Sequence, residues 1–557
     1  MSSNQRPHAI VGTGTLREPD EEKFTVNEGW SFFQQYMPDN SIIDSESFSY
    51  NVIGIEGDGP YICQIPAMPD CFLDPSSLRL EGTCKIVHYK DNVEQAALPK
   101  HAAYKTDNFQ NAKLELKLNE DQNTEGVLTE LNKLNPDQLF QHENKNLIKL
   151  TNDKYYELHL TKTFEESPEV SKVFPVNLMC QAMWRDIEIK LNSRTVTKNP
   201  NLEYANKAYL ETLMTYGNDA LNTHMQSEMW VPDDPEEIKN DNYMESYHKT
   251  KAAKEKASRY CQNNEFSFCM QLHTEFNSIN GFIMDQMPYR FQFVKNDPKF
   301  FLMTNKDDDT CKTNQYYKLK ISSLKLTGNF VKPSEEVMKL YRAHLASYTP
   351  FLYQTTRTDV LINQFPSGVT RFDWNDIFAS DYLPDTIYCA MVDMDAKNGS
   401  FYKDPFYFDH NNIESIYLRV NNKNIPVDPL TPNWSNDDYI NTYKELYENC
   451  SIKLNNVGLS ITPEKFKNGS TIFAWDLNHD KCGGAHSNHG DMIGTASIHM
   501  LFPTDAIKKN VCVIVWGVFR DYLAIDNERK PNVLTSYGVE QYYTKLGLPV
   551  PKFKQFL

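Results

Sequence analysis

One supersecondary unit occurs twice in this chain, and that repetition constrains the fold more than any other feature. In residues 173–217, Ile187, Ile189 and Leu191 alternate with Asp186, Glu188 and Lys190. A period of two places one set on the core side of a half-buried strand and the other toward water. Asn192-Ser193-Arg194 supplies a polar turn, Thr195-Val196-Thr197 begins a returning strand, and Pro200 stops it. Tyr209, Leu213 and Tyr216 then recur at helical spacing, and Gly217 stands where a helix C-cap takes positive φ. Residues 404–450 repeat the order. Ile416, Leu418 and Val420 alternate with Tyr417 and Arg419, and a turn over 421–424 leads to Ile425-Pro426-Val427. A corner with Pro429 and Pro432 follows, then a helix with Tyr439, Ile440, Tyr443, Leu446 and Tyr447 on one stripe. Hairpin, proline corner, helix, twice over: the pattern implies a duplicated domain.

The rest of the chain supplies strands for two such domains. In the first half, strands are expected at 47–55, 78–88, 265–273, 289–294 and 318–326. In the second half they are expected at 360–364, 386–392, 470–477, 495–502 and 511–519. The run 511–519, VCVIVWGVF, is the most apolar in the chain, and 386–392 is continuous enough to be buried on both faces. The stretch 498–502 resembles 289–294, as equivalent strands of two copies should. Short strands, turn residues and few long helices point to antiparallel sandwiches. The expected fold is all-β, with short helices and long loop insertions.

Pro333-Ser334-Glu335-Glu336 opens an amphipathic helix, with Ser334 as N-cap and the two acids against the positive end of the helix dipole. Val337, Leu340, Tyr341, His344, Leu345 and Tyr348 should share its buried face. The expected domains are an N-terminal arm over 1–45, a first sandwich over 46–332, a linker helix over 333–350, a second sandwich over 351–526 and an extended tail over 527–557. The first sandwich should carry polar insertions near 90–165 and 218–262, the latter looping out.

Composition narrows the function. The 557 residues carry a net charge of −17, which disfavours a protein that coats nucleic acid through phosphate contacts. The basic cluster 248–259, HKTKAAKEKASR, reads as the solvated face of an exposed helix; a nuclear-import signal or an anion-binding strip are the alternatives. No apolar run is long enough for a membrane span, and the first residues lack the apolar core of a signal peptide, so a cytosolic or nuclear origin is expected. Eleven cysteines without a CxxC pair read as free, mostly buried thiols, and the sequons at Asn449 and Asn468 as unused.

Candidate chemistry is sparse. Asp393 and Asp395 would share a strand face, as a glycosidase pair might, but they end a strand running into Asn398-Gly399, where acids commonly terminate sheets. His479, Cys482, His486 and His489 make the best metal candidate, yet one glycine-rich loop would have to supply every ligand. Asp307, Asp308 and Asp309 read as a charged loop tip. No nucleophile elbow, zincin helix or phosphate loop is present. The expectation is no catalytic, cofactor or metal site.

Four stretches together carry a resemblance: NSRTVT…YANKAYLETLMTYG, FIMDQMPYRFQFVKND, KDPFYFDHNNIESIYLRVNNKNIPVDPLTP and FAWDLNHD. They resemble the major capsid protein of Maverick/Polinton elements and the related adintoviruses, over about residues 45–535. Asn192-Ser193 departs from the Asn-Gly turn usual there, and the two polar insertions are longer. The resemblance implies a tandem double jelly roll, a homotrimer with hexagonal outline, and an icosahedral shell around double-stranded DNA. It also implies partners: further copies of the chain, a penton protein and minor capsid proteins, with no sequence-specific nucleic-acid binding. The location it implies is the virion capsid, made in the host cytoplasm, with nuclear assembly left open. Two other readings stand beside it. One is a β-sandwich carbohydrate-active enzyme or binding protein using Asp393 and Asp395 or the histidine loop. The other is a host-derived scaffold that no longer makes shells.

Overall fold

The structure is a computed structural model and describes residues 41–54, 59–90, 93–94, 147–150, 154–157, 173–197, 202–234, 237, 250–260, 265–304, 315–378, 382–450, 458–478 and 493–550. Nearly all of the expected arm, most of the 90–165 insertion, the Asp307–309 tip and the histidine loop lie outside the described residues.

Two sandwiches follow one another. The first lobe uses β1 (Ile42–Asn51), β2 (Tyr61–Ile65), β3 (Phe72–Lys90), β4 (Trp184–Leu191), β5 (Arg194–Thr195), β6 (Phe266–Gln271), β7 (Tyr289–Lys295) and β8 (Gln315–Pro333). Its sheets run β1–β8–β3–β6 and β5–β4–β7–β2. The second lobe uses β9 (Phe351–Phe365), β10 (Arg371–Ile377), β11 (Thr386–Asp393), β12 (Ser415–Val420), β13 (Lys423–Leu430), β14 (Ile472–Asp476), β15 (Ala496–Leu501) and β16 (Val511–Ile525). Its sheets run β9–β16–β11–β14 and β13–β12–β15–β10. In each lobe the first strand pairs with the eighth, the second with the seventh, the third with the sixth and the fourth with the fifth, all antiparallel. That nesting is a jelly roll, so the chain is a tandem double jelly roll.

The repeated hairpins are β4–β5 and β12–β13. Ile187, Ile189 and Leu191 face the core as the alternation requires, and Ile416, Leu418 and Val420 do the same in the second copy. Asn192 and Ser193 have φ of 44° and 68°, and Asn421 and Asn422 have 47° and 65°. Both turns thus use the left-handed pairs that match strand twist, and Ser193 occupies a position where glycine is commoner. The resembling stretches 289–294 and 498–502 fall on β7 and β15, the seventh strand of each lobe. In β16, Gly517 is required by a close approach: a Cβ there would lie 2.6 Å from the Phe378 ring.

The helices differ from expectation in informative ways. α1 (Tyr204–Thr215) ends at an extended Tyr216, and Gly217 has an ordinary φ of −83° and begins the short helix Asn218–Leu221. Residues 218–234 do not loop out: Leu221, Met225, Met229 and Trp230 join the core. α2 (Lys251–Arg259) is the expected basic helix, but Lys256 is wholly buried. In α3 (Glu335–Ala346), Ser334 Oγ accepts from the Val337 N–H at 3.4 Å, as the cap predicts. The buried face is Met338 and Tyr341, while Leu340 is 73% and Tyr348 69% exposed, so the docked stripe is rotated from the expected one. α4 (Ile440–Asn449) buries Thr442 and Leu446, with Tyr439 packed at its N-cap, but leaves Ile440 51% exposed. The tail is not merely extended. β17 (Pro531–Thr535) pairs with β16, and α5 (Ser536–Lys545) packs Val539 and Tyr543 beside Tyr522.

Candidate functional site

The most elaborate polar and aromatic assembly among the described residues is the seam between the lobes, built around α1. This helix is buried nearly all round: Ala205, Asn206, Lys207, Ala208, Tyr209, Leu210, Thr212 and Leu213 all lie inside. A helix buried on every side needs partners on both flanks for its polar groups. Toward its own lobe, Lys207 Nζ donates to Glu275 Oε1 at 2.7 Å, and His273 Nδ1 lies 2.9 Å from Glu211 Oε2. Toward the second lobe, Thr358 Oγ1 donates to Glu211 Oε1 at 2.8 Å, and Trp516 Nε1 donates to the Asn206 carbonyl at 3.2 Å. The Tyr209 and Phe406 rings stack with centroids 4.0 Å apart, and Cys450 Sγ meets Met214 Sδ at 3.7 Å.

Burial sets the charges here. It works against the Lys207 ammonium, but Glu275 and Glu211 more than offset it and its pKa ends above the ordinary value. Burial pushes the Glu211 carboxyl up, yet Lys207, His273 and Thr358 hold it below the usual carboxylate range. The Tyr204 and Tyr209 hydroxyls are raised well above theirs by burial. A second buried polar group brings the charges of Lys256 on α2, Asp233, Asp404 and Lys465 of the short helix Pro463–Lys467 within reach of one another. Lys256 Nζ is 3.6 Å from Asp233 Oδ1, and Asp404 Oδ1 accepts from the Phe406 N–H at 2.9 Å. Burial pushes the Asp404 carboxyl up to about 6, against the Phe406 hydrogen bond and the Lys256 charge, with Asp233 adding to the rise. Lys465 is lowered, first by burial.

A clasp closes the seam from the other side. The buried Asp285 carboxylate of the first lobe accepts from Tyr341 Oη of α3 at 2.5 Å and from Arg529 of the tail at 3.0 Å. The β4–β5 turn reaches the same tail: Asn192 Nδ2 donates to the Arg529 carbonyl at 3.0 Å and Arg194 to Asn532 Oδ1 at 3.0 Å.

The sequence candidates fall elsewhere. Asp393 caps the short helix Met394–Asn398 by accepting from the Asp395 N–H at 2.9 Å, and Lys403 bridges Asp393 and Asp395 at 3.0 and 2.9 Å. A cap neutralised by lysine is a structural use of both acids, not a poised acid–base pair. His479, Cys482, His486 and His489 lie outside the described residues. Among the described residues no group of three or more His, Cys, Asp or Glu could hold a metal ion, and no helix is long and apolar enough to cross a membrane. The described cysteines, Cys63 and Cys84 among them, are free, and burial pushes both of these thiols up to about 12. Sequence reasoning missed the seam's polar groups, because Asn206, Lys207 and Glu211 find partners 68 to 310 positions away, as the Glu275, Thr358 and Trp516 contacts show.

The chain is similar in fold to a chain in the cryo-EM structure of the Sputnik virophage, with TM-score 0.53 and 10% identity over 96% of each chain. The likeness is one of fold. The crystal structure of the mavirus major capsid protein matches with TM-score 0.45 and 10% identity, covering 96% of this chain and 99% of that one. By sequence, the Caenorhabditis elegans protein called Uncharacterized protein F54H12.2 is 20% identical over 365 residues, 64% of this chain and 81% of that one. No protein-family model matches the chain.

Proposed function

We propose that this protein is a capsid subunit: three copies form a capsomer of hexagonal outline that tiles an icosahedral shell around double-stranded DNA. The observation that carries the reading is the seam. Two lobes of identical strand order are fixed side by side through a buried helix, so one chain presents two similar blocks at a set angle. Three such chains can close a ring of six blocks while each block keeps distinct contacts. The end-to-end match with a chain of the virophage structure supports the same reading. So does the resemblance of the quoted stretches to Maverick/Polinton capsid proteins, which supports a virus or virus-like transposon of that kind as the source of the chain. A penton protein and minor capsid proteins are its further partners. The domain limits proposed are 46–332 and 351–526, joined by the helix within 333–350, with an arm over 1–45 and a tail over 527–557. The role is structural, not enzymatic. Multi-angle light scattering of purified protein tests it: a mass of three chains is expected, and a monomer at every concentration, above all one that hydrolyses glycans, overturns it.

A further inference from the structure

The two lobes of the chain are tied together at two places. At one, Trp516 of β16 donates to the Asn206 carbonyl of α1, Thr358 donates to Glu211 of α1, and the Tyr209 and Phe406 rings stack. At the other, the turn that follows β16 meets the first lobe. At about 3.3 Å per residue, β16 runs about 30 Å from Trp516 to its end at Ile525. The Asp526 N–H donates to the Lys530 carbonyl at 3.3 Å and Pro531 stands opposite Ile525, so Arg529 stays at that far end. There Arg529 grips one residue twice: Nε donates to the Asp285 carbonyl and Nη2 to Asp285 Oδ1, each at 3.0 Å. Tyr341 of the linker helix donates to the same Oδ1, while Oδ2 accepts from the Asp70 N–H at 3.3 Å and from Gln286 Nε2 at 3.2 Å. Asp285 is only 2% exposed, so a carboxylate that lost Arg529 would stay buried with a partner missing.

We infer that this clasp sets the angle between the lobes, by stopping the second lobe from turning about α1. The inference rests on the capsomer reading and adds what lets a ring of lobes close. Bonds that end on α1 lie within about 6 Å of its axis, and against a rotation about that axis they act through a short lever. Apolar contact there holds the lobes together without fixing a direction. The clasp differs on both counts. Its lever is up to about 30 Å, so a slip of about 1 Å at its end is a turn of only about 2°. Its bonds are directional, and a guanidinium forked over a carbonyl and a carboxylate fixes orientation as well as distance. The β4–β5 turn adds two more bonds to the same tail, Asn192 Nδ2 to the Arg529 carbonyl and Arg194 to Asn532 Oδ1. A heterologous ring closes only when the rotation between successive blocks is held, and otherwise runs on as an open chain.

Sedimentation velocity and negative-stain microscopy of the full-length chain test this with two double variants. Tyr341→Phe with Arg529→Lys keeps the charge but removes the fork and the hydroxyl. Asn192→Ala with Arg194→Ala cuts the other two bonds from the exposed turn and leaves Asp285 alone. Thr462→Ala is the control, because it removes the cap of the helix Pro463–Lys467, where Thr462 Oγ1 accepts from the Lys465 N–H at 3.2 Å, without touching the clasp. All three should keep the parent's circular dichroism. Each clasp variant should raise the concentration needed for half-assembly about tenfold and add open or mis-sized oligomers, while Thr462→Ala assembles like the parent. Clasp variants that form the parent's three-chain particles, or that do no worse than Thr462→Ala, overturn the angle-setting role and leave the capsomer reading standing. So does a loss of assembly confined to a variant that has also lost its circular dichroism spectrum. A parent that stays monomeric overturns both.

Discussion

The outward sides of two equivalent sheets differ sharply. In the second lobe, β11 and β16 are buried on both sides, with Trp516, Ile514 and Tyr388 turned toward α1 and the loop carrying Phe406 and Phe408. In the first lobe, β8 turns Lys318, Lys320 and Lys325 outward and exposes them. Strand order is the same, so topology does not decide which side is wet. The neighbour decides, and composition follows it: a sheet covered by a helix reads as a continuous apolar run, while one facing water alternates. An identical fold can therefore be a permanent joint in one lobe and an open surface in the other.

Substitutions on the two sides should separate them. The largest effect belongs to Trp516→Ala, which removes a fully buried ring and its bond to Asn206; urea unfolding should show a loss of about 3–5 kcal/mol. Lys325→Ala, outward on the matching strand of the first lobe, should change stability by less than about 0.5 kcal/mol. Equal losses at the two sites would break the comparison. Next in size is Lys207→Met, which takes from the buried Glu275 its 2.7 Å ion-pair partner and should cost about 3 kcal/mol, read as a lower denaturation midpoint.

The Asp404 carboxyl gives an effect of opposite sign. Its folded pKa is raised from 3.8 to about 6, so between those values the folded chain holds the extra proton and stability falls as pH rises. Above pH 6 the full penalty is present, roughly 2–3 kcal/mol for a shift of that size. Asp404→Asn should therefore raise the melting temperature at pH 7.5, with the gain shrinking toward zero near pH 4. A gain that is the same at both pH values would mean that Asp404 does not titrate in the seam. A smaller loss is expected at the link between the lobes, where Ser334→Ala removes the α3 cap and should cost about 1 kcal/mol by the same unfolding measurement.

Much of this contrast could be read in the sequence, and the limits are physical. The alternation of Ile187, Ile189 and Leu191 and the run VCVIVWGVF report their burial locally, so the hairpins and the doubly covered strand were legible. The helix faces were harder. Leu340 and Ile440 fit an apolar stripe by spacing but are exposed, because the buried stripe is fixed by what lies beneath the helix. Strand β10 (RFDWNDI) went unrecognised, since only Phe372 and Ile377 of its residues are buried. The tail looked extended because Pro531, Pro549 and Pro551 mask a strand that exists only by pairing with β16. Asp393 and Asp395 were rightly read as the end of a sheet, though the cap and Lys403 that use them could not be foreseen.

Electron microscopy of the purified protein tests the central claim most directly. Class averages should show particles of three chains with six lobes around a common axis, alternating between the two kinds of lobe. Solitary two-lobed particles, or rings with another number of lobes, would contradict it.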